Sequence, residues 1–177
     1  MKQHLWVKLL PDSVVINTAT LGPVGNIEKA PGTWGSLAGI VLYVVAFWNL
    51  NYLATLLFTF LMLYLAVQIC WEAEVRLQLR DPGKIVLDEF VAIPICFIGL
   101  QRLLHSDIGW LVLLLGFLLF RFFDVLKPLG INKLQNYPGG VGVVIDDVAA
   151  AFATCITLFV LAIAADYAGL LEKFVGL

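Results

Sequence analysis

Five apolar stretches, separated by short polar breaks, follow a mixed opening segment. Residues 1–36 alternate polar and apolar positions and carry Pro11, Gly22, Pro23, Gly25, Pro31 and Gly32, which predicts a short interfacial segment and then a loop. The first apolar stretch, Leu37–Leu50, has 14 residues. A span needs about 20, so it crosses a bilayer only if it extends over Thr33–Tyr52. Leu53–Trp71 is the strongest span and is interrupted mainly by Gln68. Ile85–Leu104 carries Asp88 and Glu89 in its first turns and Pro94 as a predicted kink. Ile108–Leu126 runs into Arg121, Asp124 and Lys127, and Val148–Ala165 follows directly on Asp146 and Asp147.

The breaks predict the connections. Asn49, Leu50 and Asn51 read as a tight helical hairpin, and Ser106 and Asp107 as N-caps of the fourth long helix. One long loop is expected from Lys127 to Ile145, because it holds Pro128, Gly130, Pro138, Gly139, Gly140 and Gly142. The expected fold is all-α. It is a polytopic membrane bundle of about five main helices with four or five spans, one domain over residues 1–177, with residues 1–36 as its N-terminal interfacial segment and loop.

Composition agrees. Of the 177 residues 61% are hydrophobic and only 14% charged, against about 25% charged in soluble domains, which points to an integral membrane protein. No cleavable signal is read, since Gln3, His4, Lys8 and Asp12 interrupt any early apolar run. Cys70, Cys96 and Cys155 lie in apolar segments without paired spacing and are expected to be reduced, packed thiols.

Charge placement says more than net charge. Threading the loops alternately puts nine basic residues, Lys2 to Lys133, on one side and Arg102 and Lys173 on the other. That bias marks the nine-residue side as cytoplasmic. Trp34 and Trp71 then lie near that face, and Trp48 and Trp110 near the opposite one. Asp81, Asp88, Glu89, Asp124, Asp146 and Asp147 all fall on the cytoplasmic side, although basic residues alone set the topology.

One acidic pair at a helix start is ordinary, because acids favour the positive end of the dipole. Two pairs at the same depth, Asp88-Glu89 and Asp146-Asp147, would repel across a narrow bundle, and a divalent cation removes that repulsion. Oxygen-only ligands suit Mg²⁺ or Mn²⁺. Zinc is not suggested, since His4 and His105 map to opposite sides. Arg121, Asp124 and Lys127 share roughly one helix face. They read either as a salt-bridge ladder at a membrane exit, or as Asp124 on metal with Arg121 and Lys127 on an anion. The run from Pro31 to Ser36 offers Ser36 as a cap and a nest of amides around Thr33 and Gly35 for phosphate. Gly139, Gly140 and Gly142 would let a headgroup approach the backbone, with a plain surface turn as the equal alternative. Cys70 to Arg76 matches the spacing of cysteine phosphatases by accident, since the intervening residues include Glu72 and Glu74 instead of a glycine-rich loop. There is no Walker loop.

Four segments in order resemble the phosphatidylglycerophosphatase A family: Ala30–Leu37 (APGTWGSL), Asp81–Phe90 (DPGKIVLDEF), Phe120–Pro128 (FRFFDVLKP) and Gly139–Val148 (GGVGVVIDDV). The resemblance covers about residues 20 to 165. It implies several helices packed around a central one, in the bacterial inner membrane. It implies Mg²⁺-dependent hydrolysis of phosphatidylglycerol phosphate to phosphatidylglycerol and phosphate at the cytoplasmic face. On that basis Asp88, Glu89, Asp146 and Asp147, with Asp124, would hold one or two Mg²⁺. Arg121, Lys127 and the amides from Gly32 to Ser36 would neutralise the phosphoryl group, and Lys127 joins the four paired acids as a catalytic candidate. Water attack and a carboxylate nucleophile both stay open. Lipid is the expected partner and nucleic acid is not; oligomeric state is not readable. The rival reading is a small cation transporter using the same carboxylates, and it requires acids spread through the membrane depth.

Overall fold

The computed structural model describes residues 3–80 and 82–169. Lys2, Asp81 and Lys173 lie outside the described residues. Within them the chain is helical, with no strand. Two short helices, α1 (Leu5–Lys8) and α2 (Asp12–Ala19), open the fold. Helix α3 (Pro31–Leu42) runs on through a π-turn at Tyr43–Phe47. Helix α4 (Tyr52–Leu77) is followed by α5 (Leu87–Ala92), a 3₁₀ segment (Ile93–Phe97) and α6 (Gln101–Leu104). Then come α7 (Gly109–Leu126), a 3₁₀ stretch (Pro128–Asn136) and α8 (Gly140–Tyr167).

Among the described residues three helices, α4, α7 and α8, are long and apolar enough to cross a membrane, and Pro31–Phe47 is a shorter apolar one. Their outer faces carry rows of exposed apolar side chains, such as Leu114, Leu118 and Phe122 on α7 and Phe152, Ile156 and Val160 on α8. Such rows suit lipid, because water would penalise so large an apolar area. The hairpin before α4 forms as expected: the Asn51 side chain caps the helix by accepting from the Ala54 amide at 2.9 Å. The three cysteines are free and buried, also as expected.

The apolar run Ile85–Leu104 does not form one kinked helix. It breaks into α5, the 3₁₀ segment with Pro94 near its start, and α6, with Gly99 at φ 81° between the last two. Pro94 supplies no N–H and cannot continue an α-helix, so the ladder fails there. The segment is wrapped by α3, α4, α7 and α8, and Ile93, Pro94, Ile95, Cys96 and Phe97 are all buried. Irregular backbone survives at membrane depth only when protein surrounds it. This broken pillar is the central element of the bundle.

Three local expectations also change. Helix α3 starts at Pro31 behind Ala30, which adopts φ 51°, so Ser36 lies inside the helix and does not cap it. Proline at the first helical position costs no hydrogen bond, which places the start there. Helix α7 is entered from Ile108, and the Ser106 hydroxyl donates instead to the Leu103 carbonyl at 2.7 Å. The long loop after Lys127 is mostly the 3₁₀ stretch, and α8 begins at Gly140. Asp146 and Asp147 therefore stand in the second turn of α8, beyond its first-turn dipole positions.

Helices α1 and α2 lie against the second half of α4. The Gln3 amide donates to Glu72 at 2.5 Å, and the His4 backbone amide donates to Gln68 at 3.0 Å. Arg76 reaches Glu72 and Asp12, each at 2.8 Å. Arg76 is thus spent on structure, in keeping with an accidental match at Cys70–Arg76.

Candidate metal and phosphate site

Helices α3, α5 and α8 begin, and α4 and α7 finish, at one end of the bundle. Asp88 and Glu89 stand in the first turn of α5, and Asp147 in α8. One carboxylate oxygen from each lies within 4.8 Å of the other two. Two elements far apart in sequence thus bring three acids together. Asp88 and Asp147 are buried, and the Oε2 of Glu89 is buried with no hydrogen-bond partner. A buried, unpartnered carboxylate oxygen is costly unless a cation or donor meets it.

Burial pushes the Glu89 carboxyl up to about 7, while the hydrogen bond with Asp88 and the charge of Arg121 pull the other way. The donor set fits a hard divalent cation: all oxygen, no thiol or imidazole, and three potential negative charges in a small space.

The other two acids are sorted differently. Asp124 pairs with Arg121, Oδ2 to Nη1 at 2.6 Å. The Lys127 ammonium donates to Asp146 Oδ2 at 2.5 Å, while Asp146 Oδ1 is buried without a partner. Partial burial lowers the Lys127 pKa, but the hydrogen bond and charge of Asp146 outweigh it and the net direction is up. Lys127 therefore stays cationic.

Arg121 is held from several sides. Nη1 donates to the Ser36 hydroxyl at 3.1 Å and lies 3.9 Å from Glu89 Oε1. Ser36 in turn donates to the Gly32 carbonyl at 2.8 Å. The expected ladder on α7 thus holds for Arg121 and Asp124 only. Lys127 takes φ 45° at the end of the helix, which carries it off that face and towards α8.

The glycines serve close packing. A Cβ on Gly32 would run into Glu89 Oε1 and stand 3.2 Å from Glu89 Cδ, and one on Gly35 would lie 2.8 Å from Val86 Cβ. One on Gly39 would lie 2.9 Å from Ile93 Cβ. The stripe Gly32, Gly35, Gly39 brings α3 against the central pillar. The amides of Thr33 and Trp34 both donate to the Ala30 carbonyl, so they are occupied within the helix start. Gly139 and Gly140 abut Trp71, Gly140 also meets the Val67 carbonyl, and Gly142 meets the Tyr137 carbonyl. On the side where a Cβ would stand, each of the three packs against protein, while Gly139 stays partly exposed. The glycine stripe was missed in the sequence, although its spacing of three and four residues was there to be read.

The family model for "Phosphatidylglycerophosphatase A" matches residues 17–162. The chain is 42% identical over 139 residues to "Phosphatidylglycerophosphatase A" of Haemophilus influenzae, covering 76% of this chain and 80% of that one. It is 36% identical over 124 residues to the Escherichia coli K12 protein of the same name, covering 68% and 67%. It is 34% identical over 141 residues to a Bacteroides thetaiotaomicron protein named "Putative phosphatidylinositol-3-phosphatase", covering 74% and 82%. No solved structure matches. With the family's motifs standing at one end of the bundle and a match over most of its length, the chain belongs to the phosphatidylglycerophosphatase A family of phosphatases.

Proposed function

We propose that this enzyme hydrolyses the terminal phosphomonoester of phosphatidylglycerol phosphate, giving phosphatidylglycerol and phosphate, with Mg²⁺ held by Asp88, Glu89 and Asp147. The observation that carries this reading is the meeting of those three carboxylates beside Arg121 and Lys127. A bound Mg²⁺ would polarise phosphoryl oxygens and lower the pKa of its water. The chain's own part is electrostatic. Arg121 and Lys127 would bind the phosphate and offset charge that spreads over its oxygens in a loose transition state. The apolar rows on α4, α7 and α8 would keep the acyl chains in the bilayer while the headgroup enters at the site end. The basic residues gathered at that end support a cytoplasmic orientation, in the inner membrane of a bacterium.

Asp88, Glu89, Asp124, Asp146 and Asp147 gather at one end of the bundle, and among the described residues no acid continues from them into the apolar middle of α4, α7 or α8. That arrangement favours a hydrolytic site over a transport path. Kinship with the Bacteroides protein supports the same chemistry on a second phosphorylated polyol headgroup, so both lipids belong in the assay. The test is phosphate release by purified full-length protein in mixed micelles, with Mg²⁺ and with EDTA. Mg²⁺-dependent release from phosphatidylglycerol phosphate is expected. Equal release in EDTA would remove the metal from the proposal, and no release from either lipid would remove the activity.

A further inference from the structure

We propose that Asp124 and Asp146 are positioning residues for the two phosphate-binding cations and stand outside the ligand set of the metal. This rests on the reading given under the proposed function. By residue type all five acids are equivalent hard ligands. The structure separates them. Asp88, Glu89 and Asp147 each offer an oxygen to one shared space within 4.8 Å. Asp124 and Asp146 each spend Oδ2 on a cation, at 2.6 Å to Arg121 and 2.5 Å to Lys127.

Charge balance points the same way. Asp88, Glu89 and Asp147 would balance a divalent ion, whereas Asp124 and Asp146 already face Arg121 and Lys127. A carboxylate already neutralised by a close cation adds little to the attraction of a metal. The geometry also explains what positioning achieves. The contacts of Arg121 with Asp124, Ser36 and Glu89 all use Nη1, which anchors that nitrogen beside the acidic trio and would leave the other guanidinium N–H groups to meet an anion. Lys127 has a long flexible stem leaving a backbone at φ 45°, and the buried Asp146 gives its ammonium one address. The unpartnered Oδ1 of Asp146 is the atom a metal would claim if this assignment were wrong. It makes Asp146 the decisive position.

The experiment is Mn²⁺ titration, read by the electron paramagnetic resonance of the free ion, on full-length protein without substrate. Asp124→Asn and Asp146→Asn should bind Mn²⁺ within about threefold of wild type, whereas Asp147→Asn should lose at least about tenfold. In turnover, Asp124→Asn and Asp146→Asn should raise KM about tenfold or more, with a smaller change in kcat. Lys127→Met should do the same, and adding Asp146→Asn to it should cost nothing further, since one acts through the other. The double-variant comparison also separates positioning from a folding defect, because a defect would add to the loss. A tenfold loss of Mn²⁺ affinity in Asp124→Asn or Asp146→Asn, or additive effects of Lys127→Met and Asp146→Asn, overturns the assignment. Unchanged Mn²⁺ affinity in Asp147→Asn overturns this inference together with the metal reading beneath it.

Discussion

Gly32 lies so close to Glu89 that a single methyl group on it would collide with the Glu89 carboxylate and stand 3.4 Å from Arg121 Nη1. The absent side chain is thus part of the site. Gly32→Ala should displace Glu89 or lift α3 from α5. Overpacking of this kind typically costs about 1–3 kcal/mol. The predicted outcome is a loss of Mn²⁺ affinity and turnover beyond what the drop in melting temperature explains. Gly83→Ala is the control, because a Cβ there meets nothing within 4 Å. Wild-type metal binding in Gly32→Ala would show that α3 does not constrain the Glu89 carboxylate.

Loss of one charge from the trio should be fatal to catalysis and mild for folding. Glu89→Gln and Asp147→Asn keep shape while removing a charge that, without metal, repels its neighbours. Turnover at saturating Mg²⁺ should fall by about three orders of magnitude. Expression, membrane insertion and melting in EDTA should match or exceed wild type. Near-normal turnover in either variant would take that residue out of the site.

Burial of the Glu89 carboxyl makes stability depend on pH and metal together. Burial raises Glu89 from its ordinary 4.5 to about 7. The folded, metal-free protein therefore holds a proton over that range that the unfolded chain has released. The stabilisation is fully present below about 4.5 and is lost as pH rises through about 7. Mg²⁺ should replace the missing proton. The difference in melting temperature between Mg²⁺ and EDTA should widen from about pH 5 to pH 8. A gap that is constant or narrows over that interval would contradict a metal at Glu89.

Much of this was readable in the amino-acid order because lipid is a simple solvent. Helices α4, α7 and α8 declare themselves by length and apolarity, and alternate threading with a basic bias already gathers the acids at one end. The central pillar could not be read that way. A continuous apolar run looks alike whether lipid or protein surrounds it, and only packing shows that Ile93–Phe97 is wrapped on all sides. The start of α8 was hidden for a related reason. Gly140 and Gly142 resemble turn residues, yet they are helical, and glycine stands there because α4 and the carbonyls of Gln135 and Tyr137 come too close for a side chain. Spacing foresaw the pair of Arg121 with Asp124, three apart on one helix. It did not foresee Lys127 with Asp146, because one left-handed residue removes Lys127 from the helix face. That turn decides which acid Lys127 meets.

The N-terminal helices raise a question of magnitude that mutation can answer. Arg76 bridges two acids of very different exposure: the Glu72 side chain is 9% exposed and that of Asp12 is 82%. Both contacts measure 2.8 Å, so distance alone would rank them equal. Solvent screening separates them. An exposed pair contributes about 0–1 kcal/mol, whereas removing one partner of a buried pair costs about 3–5 kcal/mol because a charge is left without compensation. Glu72 also receives the Gln3 amide, so its loss orphans a second donor. Glu72→Ala should therefore destabilise the protein strongly and Asp12→Ala hardly at all. Since α2 also holds the approach to α5, with the Val86 amide donating to the Ala19 carbonyl at 3.0 Å, Glu72→Ala should loosen the metal site as well. Thermal unfolding in detergent and Mn²⁺ titration of the two variants check both parts. Equal melting temperatures for Glu72→Ala and Asp12→Ala would show that the clamp on α4 is as well solvated as its outer member.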